Sequence, residues 1–236
     1  MSRHSYRMNI KRVSDNQFSN EWDAHWKSLD AEGSVFSFVA VATRRFIFQP
    51  AVAHYADRFF AKTGTFVEMG CGTAHSSARV ARYNRKFVGV DFSSAALSAA
   101  QKSGFMTMLI QADIFAVPFR SESLDGIWNL GVMEHFTEAE ISCSLQEFRG
   151  LLKSGGVIIL FWPSKGNASR WILGPLERVV SRLKGAKFTF FPGEISLLES
   201  KHQARRIIEA AGFKINTVDF DWRTAFIHMV IVATKA

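Results

Sequence analysis

Thr65-Phe66-Val67-Glu68-Met69-Gly70-Cys71-Gly72-Thr73-Ala74 is the stretch on which the reading of this chain turns. An apolar run ends in an acid, then passes through two glycines into a segment that reads as a helix start, Ala74–Tyr83. Glycine has no Cβ, so the backbone can turn tightly and lie against a ligand. A helix entered this way presents unpaired N–H groups to whatever occupies the crevice. An α/β protein builds a cofactor site in this manner.

Outward from that turn, short apolar runs alternate with helical segments. The candidate strands are Phe66–Met69, Phe87–Val90, Met106–Ile110, Leu124–Asn129 and Val157–Phe161. The candidate helices between them are Ala74–Tyr83, Ser94–Lys102 and Glu138–Leu152. Such alternation predicts a parallel sheet with crossover helices on both faces. A helix over His202–Ala211 stops at Gly212, and two β-like runs follow, Phe213–Phe220 and Phe226–Ala233. Asp221-Trp222-Arg223-Thr224 stands between them, so they read as an antiparallel hairpin at the sheet edge.

The flanks complete the organisation. Residues 1–62 read as a helical cap on the substrate side, with Pro50 opening a helix and Trp22, Trp26 and Phe38 as pocket candidates. Residues 63–236 form the main domain, interrupted by an insertion at about 163–200. Within the insertion, Trp171, Ile172, Leu176, Val179, Val180 and Leu183 share one helical face, with Arg170, Arg178, Arg182 and Lys184 elsewhere. We expect a lid over an apolar acceptor, lined by Trp162, Trp171, Phe188, Phe190 and Phe191, or a helix packed on the domain.

Composition bounds the partners without choosing one. The chain has 236 residues, 47% of them hydrophobic, and a net charge of +8. That charge suits nucleic acid, anionic lipid or an acidic substrate. The 22 phenylalanines point to an aromatic core. Cys71 and Cys143 have no metal-ligand spacing, so no metal is expected. Reduced cysteines and a polar N-terminus without an apolar stretch make a cytoplasmic location the expectation.

Three acids follow one another at the ends of successive strands: Glu68, Asp91 and Asp113. In an open α/β sheet that edge holds ligands. Asp91 suits a ribose diol, Asp113 an exocyclic amine of adenine. Glu68 suits a cation and would repel a pyrophosphate.

With these pieces in place the sequence resembles the class I S-adenosylmethionine-dependent methyltransferases. The matching segments are Glu68-Met-Gly70-Cys-Gly72-Thr-Ala74, Gly89-Val-Asp91-Phe92-Ser93, Gln111-Ala-Asp113-Ile-Phe115 and Leu124 through Glu134-His135-Phe136, then Leu152-Lys-Ser-Gly-Gly-Val-Ile. The neighbourhood after the fourth strand is most similar to the small-molecule and lipid-quinone branch. The resemblance implies a Rossmann-like, seven-stranded, mostly parallel sheet with an antiparallel C-terminal hairpin. It implies S-adenosylmethionine as cofactor and S-adenosylhomocysteine as product. By the same resemblance Glu68, Gly70, Cys71 and Gly72 border the methionine part, Asp91 holds the ribose, and Phe92 packs on adenine. Asp113 and Ile114 meet the adenine edge, and Leu130 offers backbone to the amino group.

The expected reaction is in-line methyl transfer to a small-molecule or lipid/glycan-type acceptor. His135 is the candidate general base, its other reading being a capping or packing histidine. Glu134 reads as a helix-start acid and His75 as a cofactor border. Three alternatives stand beside this: an RNA or other nucleic-acid methyltransferase, an NAD-dependent oxidoreductase, and a non-catalytic module that keeps the fold. Nucleic acid ranks behind the small acceptor, because Asn129-Leu130-Gly131-Val132 stands where an Asn/Asp-Pro-Pro-aromatic motif would be. The nicotinamide fingerprint wants glycine where His75 stands. A basic amphipathic face in the insertion also suits contact with anionic membrane. The acceptor's identity and the oligomeric state are open.

Overall fold

The helix expected at Pro50 is α1 (Gln49–Phe59), entered through a π-helical turn, Arg44–Phe48. Pro50 follows that π-helical turn within a helical run that is unbroken from residue 42. Ala51, Val52, Tyr55 and Ala56 form the buried stripe of α1, at the spacing of one helical face. The computed structural model describes residues 23, 42–166, 182, 194–220 and 222–236. The N-terminal pocket candidates Trp22, Trp26 and Phe38 lie outside the described residues, as do Trp171, Phe188, Phe190, Phe191 and the basic face of the insertion.

Seven strands make one sheet: β1 (Thr63–Met69), β2 (Asn84–Asp91), β3 (Met108–Gln111), β4 (Leu124–Leu130), β5 (Leu152–Pro163), β6 (Phe213–Asp219) and β7 (His228–Lys235). Their order is β3-β2-β1-β4-β5-β7-β6. The first five pair in parallel. β7 inserts antiparallel between β5 and β6, which is the expected C-terminal hairpin. Helices α2 (Ser94–Ser103), α3 (Glu138–Leu151) and α4 (Lys201–Ala210) complete the layers. Each starts on a serine or threonine whose hydroxyl accepts an N–H from the first turn: Ser93, Thr137 and Ser200. Thr137 and Glu140 form a reciprocal capping box.

The two sheet faces are chemically different. Val67, Met69, Ile127, Ile158, Leu160 and Ile231 are aliphatic and join Ile141, Leu145 and Phe148 of α3 and Ala204 and Ile208 of α4. The opposite face is aromatic: Phe66, Phe87, Trp128 and Phe161 pack with Tyr55 and Phe60 at the α1 end. Ring pairs at edge or tilted angles hold it, Phe60–Phe66 at 4.6 Å and Phe87–Trp128 at 5.7 Å between centroids. Gly126 makes room for them, since a Cβ there would lie 2.6 Å from Phe60 and 2.7 Å from Phe66.

Three local expectations change. Ala74–Tyr83 is not an α-helix: only a 3-10 turn, His75–Ser77, forms. Ala74 and Tyr83 are left-handed (φ 57° and 39°), and Ser77 Oγ donates to Glu68 Oε2. β5 begins at Leu152, five residues before the predicted Val157, because left-handed Gly155 (φ 74°) lets the chain bend without leaving the strand. β3 starts two residues later than the predicted Met106. The ends of the insertion are stitched together: Leu198 N donates to the Pro163 carbonyl and Lys165 N to the Leu198 carbonyl. Among the described residues no helix is long and apolar enough to cross a membrane.

Candidate active site

β1 lies between β2 and β4, so the chain leaves its C-terminal end toward one neighbour and returns on the other. That reversal opens a crevice. The glycine turn sits at its mouth. Gly70 N and Cys71 N both donate to the Val90 carbonyl, at 2.8 and 3.0 Å. This pins the turn across the end of β2. Gly70 and Gly72 are left-handed (φ 70° and 51°), and a Cβ on Gly70 would lie 2.5 Å from Val132 Cγ2.

Asp91, at the end of β2, staples the turn to α2. Its Oδ2 accepts from Gly72 N at 2.8 Å and its Oδ1 from Ser93 N at 2.9 Å. Burial pushes this carboxyl up, against the pull of the Ser93, Gly72 and Phe92 N–H groups. The amides expected from a following helix therefore do not stand open at Gly72: Asp91 takes that one. Each Asp91 oxygen keeps a second lone pair, since a carboxylate has about four acceptor sites.

Glu68 lies on the aromatic face, in register with Gly89 and Trp128. It is buried, and Ser77 Oγ donates to its Oε2 at 2.7 Å. Burial pushes its carboxyl up to about 8; the Ser77 bond opposes this and the Asp91 charge adds to it. Cys71 is buried beside these acids, and burial raises its thiol. It is therefore no nucleophile at neutral pH. Gly89 leaves space for it: a Cβ there would lie 2.8 Å from Cys71 Sγ.

The remaining candidates occupy the same edge. Phe92 is half-buried beside Asp91 and Ile114 is buried. Asp113 Oδ1 accepts from Phe115 N at 3.0 Å, so one of its oxygens serves its own turn. Leu130 ends β4, half-buried against the aromatic cluster. His135 closes a 3-10 turn, Met133–His135, with Nε2 3.8 Å from Glu134 Oε1. Glu134 is buried, its Oε2 has no hydrogen-bond partner among the described residues, and burial pushes its carboxyl up to about 8. Its backbone carbonyl accepts from Ile195 N and Ser196 N, which ties the returning insertion onto this turn. His75 is exposed, its Nδ1 3.1 Å from Thr73 Oγ1.

Three site residues were not singled out from the chain. Ser77 and Trp128 flank Glu68, and Asp23 contacts Ser93. Only the last had a local signal, a serine two places after a strand-end acid. The other two depend on strand register and on a turn that replaced the predicted helix.

The residues suit a cationic nucleoside ligand. Among the described residues no Lys or Arg pairs with Glu68 or Asp91. An acidic crevice without counter-charge favours a sulfonium or ammonium and rejects a pyrophosphate. Among the described residues no group of three His, Cys, Asp or Glu is placed to hold a metal ion.

The comparisons agree with this geometry. Residues 67–160 match the family profile described as a methyltransferase domain. No curated protein sequence matches the chain. The magnesium protoporphyrin IX methyltransferase of Synechocystis PCC 6803, solved with bound S-adenosylhomocysteine, is 18% identical over 96% of this chain and 100% of its own, at a TM-score of 0.66. A Thermotoga maritima methyltransferase, described as a possible histamine N-methyltransferase, is 18% identical over 93% of this chain and 97% of its own, at 0.59. A Bordetella parapertussis protein described as a possible exported protein is 20% identical over 78% of this chain, at 0.60; the chain spans 66% of its length. At such identities the solved structures establish the fold alone, and the family profile covers residues 67–160.

Proposed function

We propose that this chain, a class I S-adenosylmethionine-dependent methyltransferase, methylates a small-molecule or lipid/glycan-type acceptor through a nucleophile that carries an N–H or O–H. The observation behind the acceptor class is Glu134. Its carboxyl is buried at the acceptor end of β4 with Oε2 unpartnered among the described residues. A buried, unsatisfied polar group costs roughly 1–3 kcal/mol, so a ligand group that meets it gains correspondingly. Its enclosure by the Ile195–Ser196 return suits a compact acceptor better than a nucleic-acid backbone.

When bound, S-adenosylmethionine supplies a methyl group already activated on sulfur. The protein's work is then alignment and exclusion of water. In this reading the Gly70–Gly72 turn lies against the methionine part, with Glu68 and Cys71 behind it. Asp91 accepts from the ribose, Phe92 and Ile114 hold the adenine face, and Asp113 meets the adenine edge. Leu130 offers its carbonyl to the amino group. His135, on the turn that carries Glu134, takes the acceptor's proton where the nucleophile must lose one. We place the protein in the cytoplasm.

The test is transfer of labelled methyl from S-adenosylmethionine by the purified protein into separated small-molecule, lipid, glycan and RNA fractions. Label in one of the first three supports the proposal; label confined to RNA refutes the acceptor class while leaving the cofactor intact.

A further inference from the structure

Ser93 links the cofactor edge to a second carboxylate. It is fully buried, and its Oγ accepts from Ala96 N at 3.1 Å as the cap of α2. The same hydroxyl donates its proton to Asp23 Oδ1. Asp23 thus arrives from the N-terminal part of the chain at the residue two places after Asp91. Its charge reaches the Asp91 carboxyl and disfavours ionisation there.

Among the described residues neither acid has a basic partner, and Asp23 makes no hydrogen bond other than that with Ser93. Two carboxylates brought together without a counter-charge repel, unless donors stand between them. A vicinal diol is such a donor pair, with two O–H groups on adjacent carbons. Asp91 already spends one acceptor site of each oxygen on a backbone N–H, at 2.8 and 2.9 Å. A second carboxylate completes the acceptor set.

We propose that Asp23 is a second binding carboxylate of the cofactor's ribose site, sharing the diol with Asp91. This rests on the cofactor reading above and adds a residue outside the 67–160 match. Asp23 then acts twice: it accepts from Ser93 Oγ and it accepts from the ribose hydroxyls.

The experiment separates these roles. Calorimetry measures binding of S-adenosylhomocysteine and of its 2′-deoxy and 3′-deoxy analogues to the wild type, to Asp23→Ala and to Asp23→Asn. We expect Asp23→Ala to weaken S-adenosylhomocysteine about tenfold, as for loss of one hydrogen bond to a charged acceptor. We also expect one deoxy analogue to bind the wild type about tenfold more weakly than S-adenosylhomocysteine, and this discrimination to shrink to about twofold in Asp23→Ala. Asp23→Asn should fall between. An equal loss for all three ligands overturns the proposal and leaves Asp23 a tether only. Unchanged affinity in Asp23→Ala overturns it as well. If the wild type binds none of the three while thermal melting shows it folded, the cofactor reading fails and this inference with it.

Discussion

Replacing Gly70 by alanine tests the glycine turn through two separable costs. Gly70 has φ 70°, a conformation that costs an ordinary L-residue roughly 1–2 kcal/mol. The new Cβ would also lie 2.5 Å from Val132 Cγ2 and 3.4 Å from Cγ1, an overpacking of a kind that costs roughly 1–3 kcal/mol. Gly70→Ala should therefore destabilise the turn by roughly 2–5 kcal/mol in sum. Val132→Ala removes both methyls and leaves only Val132 Cβ, 3.6 Å away, an ordinary contact. The double variant should recover the steric part and keep the strain, giving a favourable coupling of roughly 1–3 kcal/mol. Urea unfolding of the four proteins measures the global share. S-adenosylhomocysteine titration measures the local share, because the same turn places Cys71 N on Val90 and Gly72 N on Asp91. Each 1.4 kcal/mol lost there weakens binding about tenfold. Additive behaviour of the two substitutions in both assays would refute the clash. A Gly70→Ala protein indistinguishable from wild type would refute the strain too.

Two further predictions concern protons. Glu68, held up to about 8 by burial, keeps its proton in the free protein at pH 7. A bound cation favours the carboxylate, so S-adenosylmethionine should release a proton on binding and bind more tightly as pH rises toward 8. Calorimetry in buffers of different ionisation enthalpy should show that release in the wild type and not in Glu68→Gln; proton uptake, or no buffer dependence, would contradict it. His228, buried against Phe48, is pushed down to about 3 by burial. Its contribution to stability is full above pH 6.5, its ordinary value, and is lost as pH falls toward 3, because the unfolded chain takes up the proton first. His228→Phe should flatten the fall in melting temperature between pH 7 and pH 4.5, and parallel wild-type and variant profiles would show that His228 takes up its proton as readily folded as unfolded, refuting the downward shift.

The parallel core was legible because its strands are short apolar runs that end in acids or glycine, and local pattern governs such runs. The positions of Glu68, Asp91 and Asp113 at strand ends were readable for the same reason. The segment after Gly72 was misread because its helical spacing competes with a side-chain bond, Ser77 to Glu68, that only the folded sheet supplies. Trp128 could not be placed beside Glu68 without knowing that β4, and not β3, is the second neighbour of β1.

By itself the amino-acid order determined the α/β class and the row of acids at the strand ends, because these depend on residue types at short spacing. The tertiary structure decided what those acids do in the free protein. It gave Asp91 two backbone N–H groups, buried Glu68 and Glu134 deeply enough to hold their protons, and brought Asp23 to Ser93 across 70 residues of chain. Burial and long-range contact are properties of packing, and the field around a carboxyl follows from its neighbours in space.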